Sequence, residues 1–305
     1  MNENNYGFYF NNIEIHDNKL IKSAKNDYGK NKIKKEINFY EYIIDNNVKL
    51  AIPKIYFLNK NSGIIEMEYL INCITLTNIF YDIEINSIIN KILEKINILH
   101  IFSVINVSKE TYLKNMKIET YDKIILRYNE TNWLELSYFN KIKTINNIHF
   151  KNINYYLNKI NEKLIKIINN EMVDYNFCLI HGDIHLGNIL INNENDIYFI
   201  DPRGYFGNND LFGIREYDYA KLLFGISGYS VFDLMEIDEL NIKNGNIEIS
   251  FIDKFCKIYE TNLFDNFTKL LSLTIWLGNN NNFINNNKKI TSLMIAFYLC
   301  ETYIE

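Results

Sequence analysis

The sequence predicts an α+β chain in two parts: a small antiparallel sheet with one helix over residues 1–70, then a larger, mainly helical part over residues 71–305. Three observations predict this. Short apolar or alternating runs fall in the first part, with one helical stripe among them. Apolar stripes at helical spacing dominate the second. Between those stripes lies one more group of short strands, with a cluster of polar residues at their ends.

The elements follow in order. Lys19-Leu-Ile-Lys22-Ser23 alternates and reads as a strand. Ile33, Ile37, Tyr40 and Ile44 share one face of a helix over 33–44. Gly63-Ile-Ile-Glu-Met-Glu-Tyr-Leu70 reads as a buried strand running into a linker. Ile85, Ile88, Ile89, Ile92, Ile96 and Leu99 make one helical stripe. Tyr156, Leu157, Ile160, Leu164, Ile167 and Ile168 make a second, and Ile290, Leu293, Met294 and Phe297 a third. Such stripes are core. Phe177–Ile180, Ile189–Ile191 and Ile197–Ile200 read as strands, with Asn192-Asn-Glu-Asn-Asp196 as the turn between the last two.

The chemistry lies in that last group. Leu179-Ile-His-Gly-Asp-Ile-His-Leu-Gly-Asn188, followed by Tyr198-Phe-Ile-Asp201, puts Asp183 and Asn188 on the loop entering a hairpin and Asp201 just past its exit. Phosphoryl transfer to a hydroxyl needs positioning and charge neutralisation. One carboxylate must take or orient the hydroxyl proton, which suits Asp183. Mg²⁺ wants hard oxygen ligands shared with phosphate, and Asn188 and Asp201 supply an amide oxygen and a carboxylate. Asp-x4-Asn, then an apolar strand ending in Asp, is the catalytic-loop and metal-Asp pattern of kinases. The plain alternative makes all three ordinary turn residues. Their register with two apolar strands argues against it. A zinc reading of His181 and His185 lacks an evident third ligand.

His181-Gly-Asp183-Ile-His185-Leu-Gly-Asn188 with Ile200-Asp201 resembles the catalytic signature of the aminoglycoside phosphotransferase and choline kinase superfamily, the small-molecule branch of the protein-kinase-like fold. The resemblance implies a bilobal kinase-like molecule using ATP and Mg²⁺. Protein kinases carry Arg where this chain has Gly182, and no Asp-Phe-Gly or Ala-Pro-Glu is present, which points away from protein substrates. Glu216-Tyr-Asp218-Tyr-Ala-Lys-Leu222 looks like the family's helix beneath the catalytic loop, with Asp218 capping that loop. Ile-Asp-Pro-Arg-Gly-Tyr-Phe-Gly is more similar to a bacterial subgroup associated with surface-polysaccharide genes.

The resemblance also assigns residues upstream. Kinases place a phosphate-gripping Lys on a strand and a Glu on the next helix. Lys22 and Glu36 fill those places, with Lys25 and Glu41 as competitors. The phosphate-covering loop is degenerate: Tyr6-Gly7-Phe8 and Asn11-Asn12 offer one glycine. Glu68, Tyr69 and Leu70 are the implied adenine-binding hinge, read through backbone groups. His185 takes the place where protein kinases keep a Lys against the transferring phosphate, while His181 is expected to hold the loop. Arg203 and Arg215 could meet phosphate or surface acids. Trp276, Tyr205 and Tyr229 could line an acceptor site as an aromatic wall around a choline-like cation, or be core.

Composition bounds the remainder. An apolar content of 48% excludes a disordered chain, and a net charge of −5 leaves no nucleic-acid footprint. No apolar run is long enough to span a membrane and no signal pattern opens the chain, so a cytoplasmic protein is expected. Cys73, Cys178, Cys256 and Cys300 have no metal or disulfide spacing. The Asn279–Asn282 and Asn285–Asn287 runs read as loop filler. The expected function is ATP- and Mg²⁺-dependent phosphorylation of a hydroxyl on a small molecule: an amino alcohol, a sugar or an amino sugar. The rivals are a protein kinase, a nucleotide-binding regulator without catalysis, and a nucleotidyl transferase.

Overall fold

The computed structural model describes residues 10–79, 85–136, 138–171 and 174–304. Packing divides the chain into two compact units. One is the part up to Ile105 with Asn176–Asp218; the other is Asn106–Tyr175 with the part from Tyr219 onward. The first unit therefore joins the expected N-terminal part to the polar hairpin that lies within residues 71–305.

In the first unit, β1 (Asn11–His16), β2 (Lys19–Ala24), β3 (Ile55–Asn59) and β4 (Ile64–Glu68) form an antiparallel sheet in the order β1-β2-β4-β3. β2 pairs on both sides, with Lys22 opposite Ile13 and Ile65. β1 and β3 escape the sequence reading because they are edge strands. Most of their side chains are exposed or half-buried, so no alternating stripe marks them. The two-residue turn between β1 and β2 sets Asp17 at φ 52, a region that Asp tolerates.

Helix α1 (Asp27–Asp45) starts well before the expected 33–44 span because Asn26 caps it, its side chain accepting from the Gly29 N–H at 2.8 Å. Ile33, Ile37 and Tyr40 are fully buried, as the stripe requires, but Ile44 is 50% exposed and Ile43 takes its place inside. The buried face is turned toward Glu36, Phe39 and Ile43. It packs on the loops flanking the polar hairpin as well as on the sheet: Phe39 meets the His181 ring edge-on, and Gly204 lies against the Lys35 carbonyl.

β5 (Cys73–Thr75), β7 (Ile189–Asn192) and β8 (Ile197–Phe199) make a three-stranded antiparallel sheet in the order β8-β7-β5. The expected hairpin is thus present, with β5 as an added edge. In its turn the Asn192 side chain accepts from the Glu194 and Asp196 amides. β6 (Asn176–Leu179) is the expected strand before the catalytic loop. It packs against helix α2 (Ile85–Phe102), whose Ile89, Ile92, Ile96 and Leu99 are buried and whose Ile88 is half-buried. The Ile85 side chain and the loop around Gly7 lie outside the described residues. Helix α3 (Arg215–Phe224) begins in this unit.

The second unit is mainly helical. Helix Ile153–Glu171 buries Tyr156, Leu157, Ile160, Leu164 and Ile168, with Ile167 half-buried. Helix Asn286–Tyr303 buries Ile290, Leu293, Met294 and Phe297, and also Ile295, Ala296, Leu299 and Cys300. It is a core helix closed on nearly all sides, not the one-sided stripe that the spacing suggests. The asparagine runs are not filler. Asn279 and Asn280 are buried, Asn280 donates to the Leu277 carbonyl at 2.8 Å, and Asn285 caps the last helix. Among the described residues no helix is long and apolar enough to cross a membrane.

Candidate active site

The loop between β6 and β7 is held from below. His181 is fully buried, and burial pulls its imidazole below the ordinary histidine range, so it is neutral. Its Nε2 lies 3.0 Å from the Ile200 carbonyl and its Nδ1 3.3 Å from the Asp183 amide. A carbonyl only accepts, so Nε2 carries the hydrogen and Nδ1 accepts from Asp183. His181 therefore ties the catalytic loop to the end of β8. It is a brace and not a base.

Asp218, in the first turn of α3, is 1% exposed. Its carboxylate accepts from the His181 amide at 3.0 Å and the Gly182 amide at 2.6 Å, and meets His100 Nε2 at 3.0 Å. Charge-assisted bonds of this kind are strong in a dry interior. Gly182 adopts φ +81, and a Cβ there would lie 3.3 Å from that of Arg203. The backbone thus requires glycine where protein kinases have Arg. His100 escaped the sequence reading. Its signal is a polar residue four positions after Ile96, on the buried stripe of α2.

Asp183 and Asn188 come together. Asn188 Nδ2 donates to the Asp183 carbonyl at 2.9 Å and lies 3.4 Å from its carboxylate Oδ2. The Asp183 side chain stays 33% exposed. His185 Nδ1 accepts from the Gly187 amide at 3.2 Å, which leaves the hydrogen on Nε2, 4.0 Å from Asp183 Oδ2. An N–H donor thus stands beside the carboxylate.

The third group forms across the unit. Lys22 Nζ donates to Glu36 Oε2 and to Asp201 Oδ1, each at 2.8 Å. Lys22 and Glu36 are buried, whereas the Asp201 side chain is 44% exposed. Burial alone would lower the Lys22 ammonium, but the Asp201 and Glu36 carboxylates overcome it and hold it above its ordinary value. Burial pushes Glu36 up, against the pull of Lys22. Asp201 sits at φ 54, a left-handed conformation costing roughly 1 kcal/mol. The competing residues are elsewhere: Glu41 pairs with Lys60, and Lys25 follows the end of β2, its amide donating to the Phe10 carbonyl.

Other expectations divide. The Glu68 amide already donates to Lys54 and the Tyr69 amide to Asn18. An adenine on this segment would use its carbonyls or the Leu70 amide. Arg203 Nη1 donates to the Tyr217 hydroxyl at 2.6 Å and its guanidinium lies 3.8 Å over the Tyr205 ring. Arg215 Nε donates to Glu216. Trp276 is core: it is fully buried in the second unit, edge-on to Phe224, with its Nε1 donating to Ser227 at 3.0 Å. An indole enclosed in this way cannot wall a ligand site. Tyr229 stacks on the same Phe224.

The donor set suits a cation that arrives with a nucleotide. Among the described residues no group of three or more His, Cys, Asp or Glu side chains forms a self-sufficient metal cluster. Mg²⁺ shared with phosphates needs only one or two protein oxygens. Asn188, whose Nδ2 is spent on Asp183, and the partly exposed Asp201 offer those.

The profile of the ABC1 atypical kinase-like domain matches residues 110–255. No curated protein matches the chain by sequence. Among solved structures, the choline kinase LicA from Streptococcus pneumoniae is similar with a TM-score of 0.54 at 16% identity, over 96% of this chain and 90% of that one. LicA in complex with AMP gives 0.52 at 17%, over 96% and 88%. The Plasmodium vivax ethanolamine kinase gives 0.52 at 14%, over 94% and 82%. The gentamicin complex of APH(2")-IIa gives 0.51 at 14%, over 95% and 87%. At such identities the likeness is one of fold.

Proposed function

From the protein-kinase-like fold that this chain has in common with choline kinases and aminoglycoside phosphotransferases, we propose that it transfers the γ-phosphoryl group of ATP to a hydroxyl of a small metabolite, in a cytoplasmic setting. The observation that carries this reading is the Lys22 ammonium between Glu36 and Asp201, in the same compact unit as the Asp183–Asn188 pair. Residues distant in sequence meet there with the charges that phosphoryl transfer uses.

Each residue has a task. Asp183 accepts or orients the acceptor hydroxyl's proton. His185 Nε2–H donates to the phosphoryl group in flight. Lys22, steadied by Glu36, grips the non-transferred phosphates. Asn188 and Asp201 hold Mg²⁺, which supplies charge neutralisation on the phosphates when bound. Glu68, Tyr69 and Leu70 border the adenine. Residues 1–70 thus serve the nucleotide and residues 71–305 the catalysis and the acceptor. The acceptor class is an amino alcohol such as choline or ethanolamine, a sugar or an amino sugar, in keeping with a place in surface-polysaccharide synthesis.

The test is calorimetry with ATP, with and without Mg²⁺, on wild type and Asp201→Ala. Wild type should bind ATP·Mg²⁺, and Asp201→Ala should lose the Mg²⁺-dependent part while keeping its fold. A wild-type protein indifferent to ATP would end the proposal.

A further inference from the structure

One face of α1 reads the whole site. Glu36 holds Lys22, Phe39 packs edge-on against the His181 ring at 5.9 Å, and Tyr40 lies one helical turn past Glu36 on the same side. Tyr40 is 0% exposed, and its hydroxyl is enclosed in the interior, within electrostatic reach of Glu36 but outside good hydrogen-bond geometry with any partner. Glu36 uses Oε2 for Lys22, while its Oε1 is equally enclosed and equally unpartnered. A buried hydroxyl and a buried carboxylate oxygen each cost free energy alone, and their mutual bond removes both costs. The phenol also couples electrostatically to Glu36 first and then to Asp201, whose backbone it approaches.

We propose that Tyr40 is a positioning residue of the nucleotide site: its hydroxyl donates to Glu36 Oε1, fixing the carboxylate that steadies Lys22. This rests on the phosphotransferase reading and adds a residue to it. Tyr40 touches neither nucleotide nor acceptor. It acts through Glu36. The hydroxyl matters for that reason: a purely apolar core position one turn from Glu36 would take Phe or Leu, and this position carries a polar atom in a dry place.

The test is calorimetric binding of ATP, in excess Mg²⁺ and in EDTA, to the full chain as wild type, Tyr40→Phe, Glu36→Gln and the double variant. Tyr40→Phe keeps the ring and the packing. It should weaken ATP binding ~10-fold, as loss of a hydrogen bond to a charged group does, in EDTA as well as in excess Mg²⁺, because Lys22 grips the phosphates in both. In the Glu36→Gln background the same substitution should cost little more, because Tyr40 acts through that carboxylate. Wild-type affinity in Tyr40→Phe, a loss confined to excess Mg²⁺, or a fully additive double variant would overturn the role of Tyr40 while leaving the kinase reading intact. Failure of wild type to bind ATP would overturn both.

Discussion

Asp183 is a carboxylate held by its neighbours in one place with one face open. Asn188 fixes its backbone carbonyl, His181 takes its amide, and its side chain remains a third exposed. Asp183→Asn keeps that shape and removes the charge. Turnover should fall ~10²–10⁴-fold, the usual cost of losing a general base, while calorimetric ATP affinity changes little. A variant with normal turnover and lost ATP binding would move Asp183 to the nucleotide. Lys22 and Glu36 are a second residue-scale case. Their side chains meet at 2.8 Å in the interior, so Lys22→Ala and Glu36→Ala should be strongly non-additive in kcat/KM. Strictly additive losses, or a silent Lys22→Ala beside a dead Lys25→Ala, would show that the grip lies elsewhere.

The loop between β6 and β7 depends as an element on a carboxylate buried beneath it. Asp218 accepts hydrogen bonds from two loop amides and faces His100 in a dry interior. Asp218→Ala would leave those donors unsatisfied, at ~3 kcal/mol or more, and lower Tm by roughly 6–12 °C. Differential scanning calorimetry checks this, and an unchanged Tm would mean that the loop holds itself. Which elements were legible in the sequence follows from the same physics. The hairpin of β7 and β8 was, because buried strands are apolar and Asn192 makes a recognisable turn. The edge strands β1 and β3 were not, since half-exposed side chains leave no period. The spacing predicts helix α1 but places Ile44 on its buried face, because spacing alone does not reveal that a second layer, the loop bearing His181, covers Phe39.

At the scale of the molecule, motif spacing brought Asp183, Asn188 and Asp201 into view, and the resemblance supplied Lys22 and Glu36. His100 stays hidden, because a polar atom on a buried stripe has no partner until the chain is folded. The acceptor is the part least written in the sequence. Trp276, the residue most suggestive of a cation cage, is sealed in the second unit's core. Trp276→Ala should therefore cost stability, ~3–5 kcal/mol as a large-to-small core change does, and not acceptor selectivity. Chemical denaturation beside an acceptor profile separates the two. A variant with native stability and a changed acceptor preference would return the indole to the site.

The central claim is that this chain moves the γ-phosphoryl group of ATP to a small hydroxyl acceptor. Its most direct measurement is Mg²⁺-dependent release of ADP by the purified chain over choline, ethanolamine, sugars, amino sugars and aminoglycosides, with the product identified by phosphorus NMR and Asp183→Asn run beside it. The account predicts ADP release above the acceptor-free rate for at least one acceptor, a phosphate ester on that acceptor's hydroxyl, and loss of both in Asp183→Asn. Pyrophosphate release with nucleotidyl transfer, or phosphorylation that persists undiminished in Asp183→Asn, would contradict it.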